Sequence, residues 1–164
     1  MAEITFKGNT VKTIGNLPEV GSKAKDFTLV GTDLKEATLA TFAGKKKIVN
    51  IYPSVDTGIC AASVRAFQKK LAGRADVVVI HVAADLPFAF KRFCGAEGIE
   101  NAVGLSTFRS DFADAWGVRM LDGALQGLCS RAVVVLDENN TVKYTEQVPE
   151  IAQEPDYEKA AAAL

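Results

Sequence analysis

Three stretches of this chain carry apolar residues in both phases of a two-residue period: Ile48 to Tyr52, Val77 to Ala83, and Ala132 to Leu136. A strand with one wet face would alternate, so these are expected as central strands covered on both sides. Between the first two, Cys60, Val64, Phe67 and Leu71 fall at spacings of four, three and four, which predicts one face of a helix over Ala61 to Leu71. That order predicts a right-handed βαβ unit. Upstream, Ile4, Phe6 and Val11 bracket Gly8-Asn9 and predict a short N-terminal β-hairpin turning at that pair. Phe27 to Val30 and Ala37 to Leu39 flank the polar Gly31-Thr32-Asp33 and are expected to pair as a second hairpin. After Leu136, Asp137-Glu138-Asn139-Asn140 is a turn by composition, and Thr141 to Gln147 reads as an antiparallel edge strand. Pro155 is placed to open a terminal helix running through Ala163.

Composition changes this picture little. With 164 residues, 48% of them hydrophobic, and no linker, repeat or biased segment, residues 1–164 are expected to form one domain. Nineteen basic residues against 20 acidic ones give no general attraction to nucleic acid or to an anionic membrane. Lys45-Lys46-Lys47 is the only basic run and is expected as a solvated lead-in to the strand at Ile48. No charged segment followed by an apolar stretch marks the N-terminus, and no stretch approaches the length of a membrane span, so a cytoplasmic protein is expected. In that compartment a disulfide is transient and catalytic more often than structural. Cys60, Cys94 and Cys129 lie too far apart for any CxxC, and three thiols allow one internal pair at most.

Of these, Cys60 is the candidate nucleophile. Pro53-Ser54-Val55-Asp56-Thr57-Gly58-Ile59-Cys60 links the first central strand to the helix, so Cys60 falls in the first helical turn. Unpaired backbone N–H groups and the positive end of the helix dipole favour an anion there, and the thiolate is the reactive form of a cysteine. Thr57 is suited to cap the helix, and its hydroxyl can also donate to the sulfur or to a bound oxygen. Pro53 serves either as a rigid strand end or as a shield over the sulfur; both readings stand. His81, the only histidine, lies inside a strand expected to be buried and reads as a core residue, which leaves no Cys–His arrangement. No phosphate-binding glycine motif and no metal-ligand cluster is present, and the chemistry needs no cofactor.

The spacing Pro53-x-x-x-Thr57-x-x-Cys60 resembles the active-site signature of the peroxiredoxins, and Asp56 to Arg65 resembles the active-site stretch of their bacterial thiol peroxidase subfamily. Ala84 to Ala89, Arg92 to Gly98, Leu105 to Arg109 and Arg131 to Val135 are similar to further blocks of that subfamily, in the same order, so the likeness covers essentially the whole chain. The resemblance implies an α/β thioredoxin-like fold, a central mixed sheet flanked by helices, and the βαβ-then-ββα order read above agrees with it. It implies that Cys60 attacks a hydroperoxide, that Cys94 resolves the resulting sulfenic acid as an intrachain disulfide, and that thioredoxin reduces the disulfide. It implies that Arg131, just ahead of the third central strand, reaches the thiolate. A homodimer and a preference for alkyl hydroperoxides over hydrogen peroxide follow from the same likeness. A redox sensor using the same Cys60–Cys94 switch on a protein partner is the alternative. Cys129 matches nothing in the subfamily and has no assigned role.

Magnitudes indicate where the catalytic power must lie. Lowering a thiol's pKa from about 8.5 to about 6 raises its thiolate fraction at pH 7 roughly 30-fold. The weaker base is also a poorer nucleophile, by roughly 10- to 18-fold for a Brønsted slope of about 0.4–0.5. Ionisation alone thus yields only about two- to threefold, and the larger share must come from donors aimed at the peroxide oxygens as the O–O bond lengthens.

Overall fold

A computed structural model describes residues 1–164. Its strands are β1 (Glu3–Phe6), β2 (Asn9–Lys12), β3 (Leu29–Gly31), β4 (Glu36–Ala37), β5 (Lys46–Ile51), β6 (Val77–Ala83), β7 (Val103–Ser106), β8 (Ala132–Leu136) and β9 (Val142–Gln147). Its helices are α1 (Gly58–Lys70), α2 (Pro87–Glu97), the single-turn α3 (Phe112–Ala115) and α4 (Tyr157–Ala162), with a 3-10 turn at Leu39–Phe42. Seven strands form one mixed sheet in the order β4-β3-β7-β6-β5-β8-β9, while β1 and β2 form a separate hairpin. The thioredoxin-like arrangement is therefore present.

The three apolar runs occupy the middle of that sheet because both of its faces are covered. Val49, Ile51, Ile80, Val82, Val134 and Leu136 belong to the core on one face, with Phe27, Phe112 and Trp116. Ile48, Val79, Val133 and Val135 face the other way, against Phe67 of α1, Leu71 just past its end and Ala160 of α4. β5, β6 and β7 run parallel, and β8 is antiparallel to β5. The carboxyl ends of the three parallel strands thus share one rim of the sheet, the usual position of a functional site in open α/β sheets.

Several expectations need correction. The N-terminal hairpin turns at Lys7-Gly8, with Phe6 opposite Asn9 and positive φ at both loop residues, the backbone of a two-residue hairpin turn. The basic run is not a solvated lead-in: Lys46 and Lys47 are already in β5, and Lys47 is buried with its Nζ donating to the Lys45 carbonyl at 2.9 Å. Burial lowers the Lys47 pKa, opposed by the charges of Asp137 and Glu138. The second hairpin is shorter than read, and Leu39 begins the 3-10 turn instead. Pro155 precedes the terminal helix, which Asp156 caps by accepting from the Lys159 N–H at 3.0 Å. Strand β7 has no sequence signal of its own, being four residues long with a glycine inside. That glycine is required by packing: a Cβ on Gly104 would stand 1.9 Å from a ring carbon of Phe90. Phe90 therefore seats α2 directly on β7.

Candidate active site

Cys60 occupies the first turn of α1, and Thr57 is the helix cap, with φ −98° and ψ 147°. Thr57 Oγ1 accepts from the Cys60 N–H at 3.4 Å and donates to the Ser54 carbonyl at 3.1 Å. The hydroxyl proton is thus committed to the backbone in this arrangement, and the donation to sulfur that the sequence allowed is not made. Pro53 is buried at the end of β5. Tyr52 before it and Val55 two residues after it pack around Cys60 with Val64, Ala83, Phe90 and Phe93. The Tyr52 hydroxyl is held neutral, its pKa raised well above the usual value by burial first and then by the Asp85, Cys60 and Cys94 charges.

Arg131 arrives by strand register. Ala132 of β8 pairs with Ile51 of β5, which brings the preceding residue alongside Tyr52, at the strand end from which the Cys60 loop departs. Its guanidinium is buried, and each nitrogen has a distinct situation. Nη2 donates to Cys60 Sγ at 3.2 Å, Nε donates to the Ile151 carbonyl at 2.8 Å, and Nη1 has no protein partner. No carboxylate lies within ion-pair distance of this arginine. A buried charge without a counter-charge is costly, and the sulfur is the one anion-forming group it touches. The Arg131 carbonyl in turn accepts from the Val148 N–H and from Gln147 Nε2, both at 3.0 Å, which fixes the backbone beneath the guanidinium.

Sequence reasoning missed Asp85. Its carboxylate accepts from Ser54 Oγ and from the Val55 N–H, both at 2.7 Å, and so pins the loop between β5 and α1 to the end of β6. Asp85 lies within a block that pointed to the subfamily, but nothing in a linear sequence pairs it with Ser54, thirty-one residues away. Two ion pairs across the helices were equally invisible: Arg92 with Asp56, and Arg65 with Glu97 at 3.1 Å. They tie α2 to the loop before α1 and to α1 itself.

The other cysteines differ sharply. All three thiols are free. Cys94, half-buried in the last turns of α2, packs at the margin of the Cys60 cluster, and burial raises its pKa. The helix ends at Gly98, whose φ of +65° supplies the left-handed stop. Cys129 is buried in the core on the opposite face of the sheet. Its pKa is pushed up to about 12, by burial and then by the Asp85 charge, against a hydrogen bond to Thr107 that lowers it. Such a thiol is inert at neutral pH. His81 is a core residue as expected, neutral because burial pulls its pKa down to about 3.

A cavity of about 930 Å³ lies at the far end of α1 beside Leu71, Gly73, Val77 and Ile99; none of Pro53, Thr57, Cys60 or Arg131 lines it. No cluster of three His, Cys, Asp or Glu side chains is placed to hold a metal ion.

Comparison with known proteins gives a consistent answer. The sequence profile of the redoxin family matches residues 19–161. The thiol peroxidases of Mycobacterium tuberculosis and Mycobacterium bovis are each 52% identical over 164 residues, covering 100% of this chain and 99% of theirs. Among solved structures, a peroxiredoxin-like protein from Aquifex aeolicus superposes with a TM-score of 0.92 at 34% identity, over 100% of this chain and 98% of that one. A thiol peroxidase from Chromobacterium violaceum shares the fold, with a TM-score of 0.92 at 24% identity over 99% of this chain and 95% of that one. A helix-capped cysteine against a buried arginine, on a mixed sheet shared with these proteins along the full chain, makes this a member of the redoxin family and, within it, of the thiol peroxidases.

Proposed function

We propose that this chain reduces hydroperoxides at Cys60, closes a Cys60–Cys94 disulfide within one chain, and is returned to the dithiol by thioredoxin. The observation that carries the reading is the buried Arg131 guanidinium, with one nitrogen 3.2 Å from Cys60 Sγ and a second with no partner. The fork can hold the sulfur charge through Nη2 while Nη1 meets a peroxide oxygen, a geometry lysine cannot reproduce.

The Cys60 thiolate attacks the terminal oxygen of a hydroperoxide. An S–O bond forms, the O–O bond breaks, and the departing alkoxide or hydroxide takes up a proton, leaving a sulfenic acid. Charge moves from sulfur onto the leaving oxygen, so donors fixed at that position stabilise the transition state more than the ground state. Arg131 is the donor the fold holds in place, and the Cys60 N–H and the Thr57 hydroxyl belong to the same turn as the sulfur. Cys60 is completely covered whereas Thr57 and Gly58 are exposed, so peroxide enters past that exposed turn while Sγ stays on Arg131. Pro53 acts here as the buried strand end that sets the loop. The Cys94 thiol then attacks the sulfenic sulfur, expelling water and forming the disulfide, and a dithiol of thioredoxin exchanges with that disulfide. Because recycling requires a reducing dithiol, the compartment is the cytoplasm.

Leu86 and Phe108 leave the carboxyl ends of the adjacent strands β6 and β7, and with Phe88 they are among the most exposed large apolar side chains. This apolar surface beside the site supports a homodimer. The alkyl hydroperoxide preference rests on the family likeness. The test is NADPH consumption with thioredoxin and thioredoxin reductase, using cumene hydroperoxide and hydrogen peroxide. Continuous turnover is expected; a single oxidation per chain without turnover would overturn the enzyme in favour of a sensor.

A further inference from the structure

The face of the sheet under α1 is not one core but two. Cys60 and Val64 pack with Tyr52, Val55, Ala83, Phe90 and Phe93, while Phe67 and Leu71 pack with Ile48, Val79, Val133 and Val135. A buried polar band separates them. Asn50 and His81 are partners across the parallel pair β5–β6, each flanked on its own strand by one residue of either cluster, and Ser63 of α1 lies against them. Asn50 Nδ2 donates to His81 Nδ1 and to Ser63 Oγ, both at 3.1 Å, and His81 Nε2 donates to Gln68 Oε1 at 3.0 Å. An amide donor facing Nδ1 fixes the proton on Nε2. Ser63 Oγ donates its own proton to the Cys60 carbonyl at 2.8 Å. Asn50 Oδ1 is buried and has no partner.

This band coincides with the boundary that the resolving step requires. A disulfide needs Cα atoms within roughly 7 Å and Cβ atoms within about 4.5 Å. Cys60 is fully buried in the cluster with Phe90 and Phe93 and is unbonded to Cys94 at the cluster's margin, so closing the bridge requires backbone movement, and the first turn of α1 is the part of that helix least held by hydrogen bonds. When the Cys60 carbonyl departs, Ser63 loses its acceptor, while the Asn50 amide that donates to Ser63 also carries an unpartnered buried acceptor, Oδ1. Serine is also among the best helix caps. A helix restarting after Ser63 would keep Phe67 and Leu71 in their own cluster, where Phe67 meets Tyr157 edge-on at 4.9 Å.

We propose that Ser63, held by Asn50, is the stop at which unwinding of α1 halts: it becomes the cap of the shortened helix and hands its proton from the Cys60 carbonyl to Asn50 Oδ1. The inference rests on the Cys60–Cys94 resolution step above. Ser63 and Asn50 are positioning residues; neither touches the peroxide.

The test is amide hydrogen exchange of the reduced and the peroxide-oxidised full-length protein, for the wild type, Ser63→Ala and Ser63→Thr, with peptide mapping of the oxidised bridge. In the wild type, oxidation should deprotect amides up to residue 65 and leave 67–70 unchanged. In Ser63→Ala, oxidation should speed exchange of amides 67–70 about fivefold beyond the change the same substitution causes in the reduced form, the loss expected for a missing cap. Ser63→Thr, which keeps the hydroxyl, should restore the boundary. Deprotection of 67–70 already in oxidised wild type, or an equal change in both redox states of Ser63→Ala, would overturn the stop while the disulfide reading survives. Absence of a Cys60–Cys94 bridge on mapping would overturn both.

Discussion

Replacing Arg131 by methionine keeps much of the side chain's length and apolar stem while removing the charge and every donor. The hydrogen bond it removes from the sulfur is the one from Nη2 to Cys60 Sγ at 3.2 Å. Hydrogen bonds to charged groups contribute about 1.5–3 kcal/mol, and a donor that follows charge onto a reacting oxygen contributes about 2.7–4 kcal/mol to the barrier. At about 1.36 kcal/mol per tenfold, the first range corresponds to roughly 10- to 160-fold and the second to roughly 10²- to 10³-fold. The variant should therefore react with hydroperoxide about 10²-fold more slowly, far beyond the two- to threefold that ionisation alone supplies. Stability should change less, because loss of the bond from Nε to the Ile151 carbonyl is offset by removal of a buried charge with no carboxylate partner. The measurement is the second-order rate constant for peroxide consumption by the reduced protein, by rapid mixing, over pH 5 to about 10. At the alkaline plateau sulfur is ionised in both proteins, so any remaining deficit belongs to the transition state. If the two plateaus coincide, Arg131 acts only on ionisation and the role given to its free Nη1 is wrong.

Other substitutions separate the remaining parts of the site. Cys60→Ser should abolish thioredoxin-coupled turnover with the melting temperature little changed, and Cys129→Ser should leave turnover intact, since that thiol is buried on the opposite face of the sheet. Cys94→Ser should consume about one equivalent of peroxide and then stall as sulfenic acid, passing to sulfinic acid with excess peroxide; mass spectrometry of the two products checks it. Asp85→Ala removes the acceptor of two 2.7 Å hydrogen bonds, so it should lower stability by about 2–4 kcal/mol and slow peroxide reaction by freeing the loop; urea unfolding and rapid mixing measure each. His81 binds its proton in the unfolded chain near pH 6.5 but in the folded one only near 3. Its contribution is thus fully present above about 6.5 and is lost as pH falls toward 3, by about 2 kcal/mol at pH 5. Glu150, held at about 2 by hydrogen bonds led by Thr5, titrates in a lower window, so His81→Gln should flatten urea-unfolding stability between pH 6.5 and 5 specifically.

The parts of this fold legible in the sequence are those where one physical requirement dominates a contiguous segment. Strands β6 and β8 match their predicted limits because burial on both faces demands apolar residues in both phases. The Cys60 helix is legible because its buried stripe and its capping threonine are close neighbours in the chain. Where two distant segments share a requirement, the sequence is mute. Strand β7 exists because β6 and β3 pair with it, and its glycine answers to Phe90 on α2. Lys47 reads as part of a solvated run because lysine is almost never fully buried; its exception depends on the Lys45 carbonyl, supplied by the turn into β5. Arg131 has only its family likeness to recommend it. What makes it a partner of Cys60 is the antiparallel register of β8 on β5, and that is set by the whole sheet.

That division between sheet and helix carries through to the chemistry. The groups that must stay still come from strand ends: Arg131 ahead of β8, anchored through Nε and through its own carbonyl, and Asp85 after β6. In the proposed cycle the groups that travel come from helices: Cys60 in a first turn, where few hydrogen bonds hold the backbone, and Cys94 ahead of a glycine stop. Central strands open only with the whole domain, whereas helix ends fray at small cost. Donors fixed on the sheet therefore keep their positions while the sulfurs exchange partners. The surface ion pairs from α2 to Asp56 and Arg65 add only the modest restraint expected of exposed pairs, about 1 kcal/mol or less each. Such ties hold the reduced arrangement together without preventing its opening, and a buried network in their place would lock Cys60 away from Cys94.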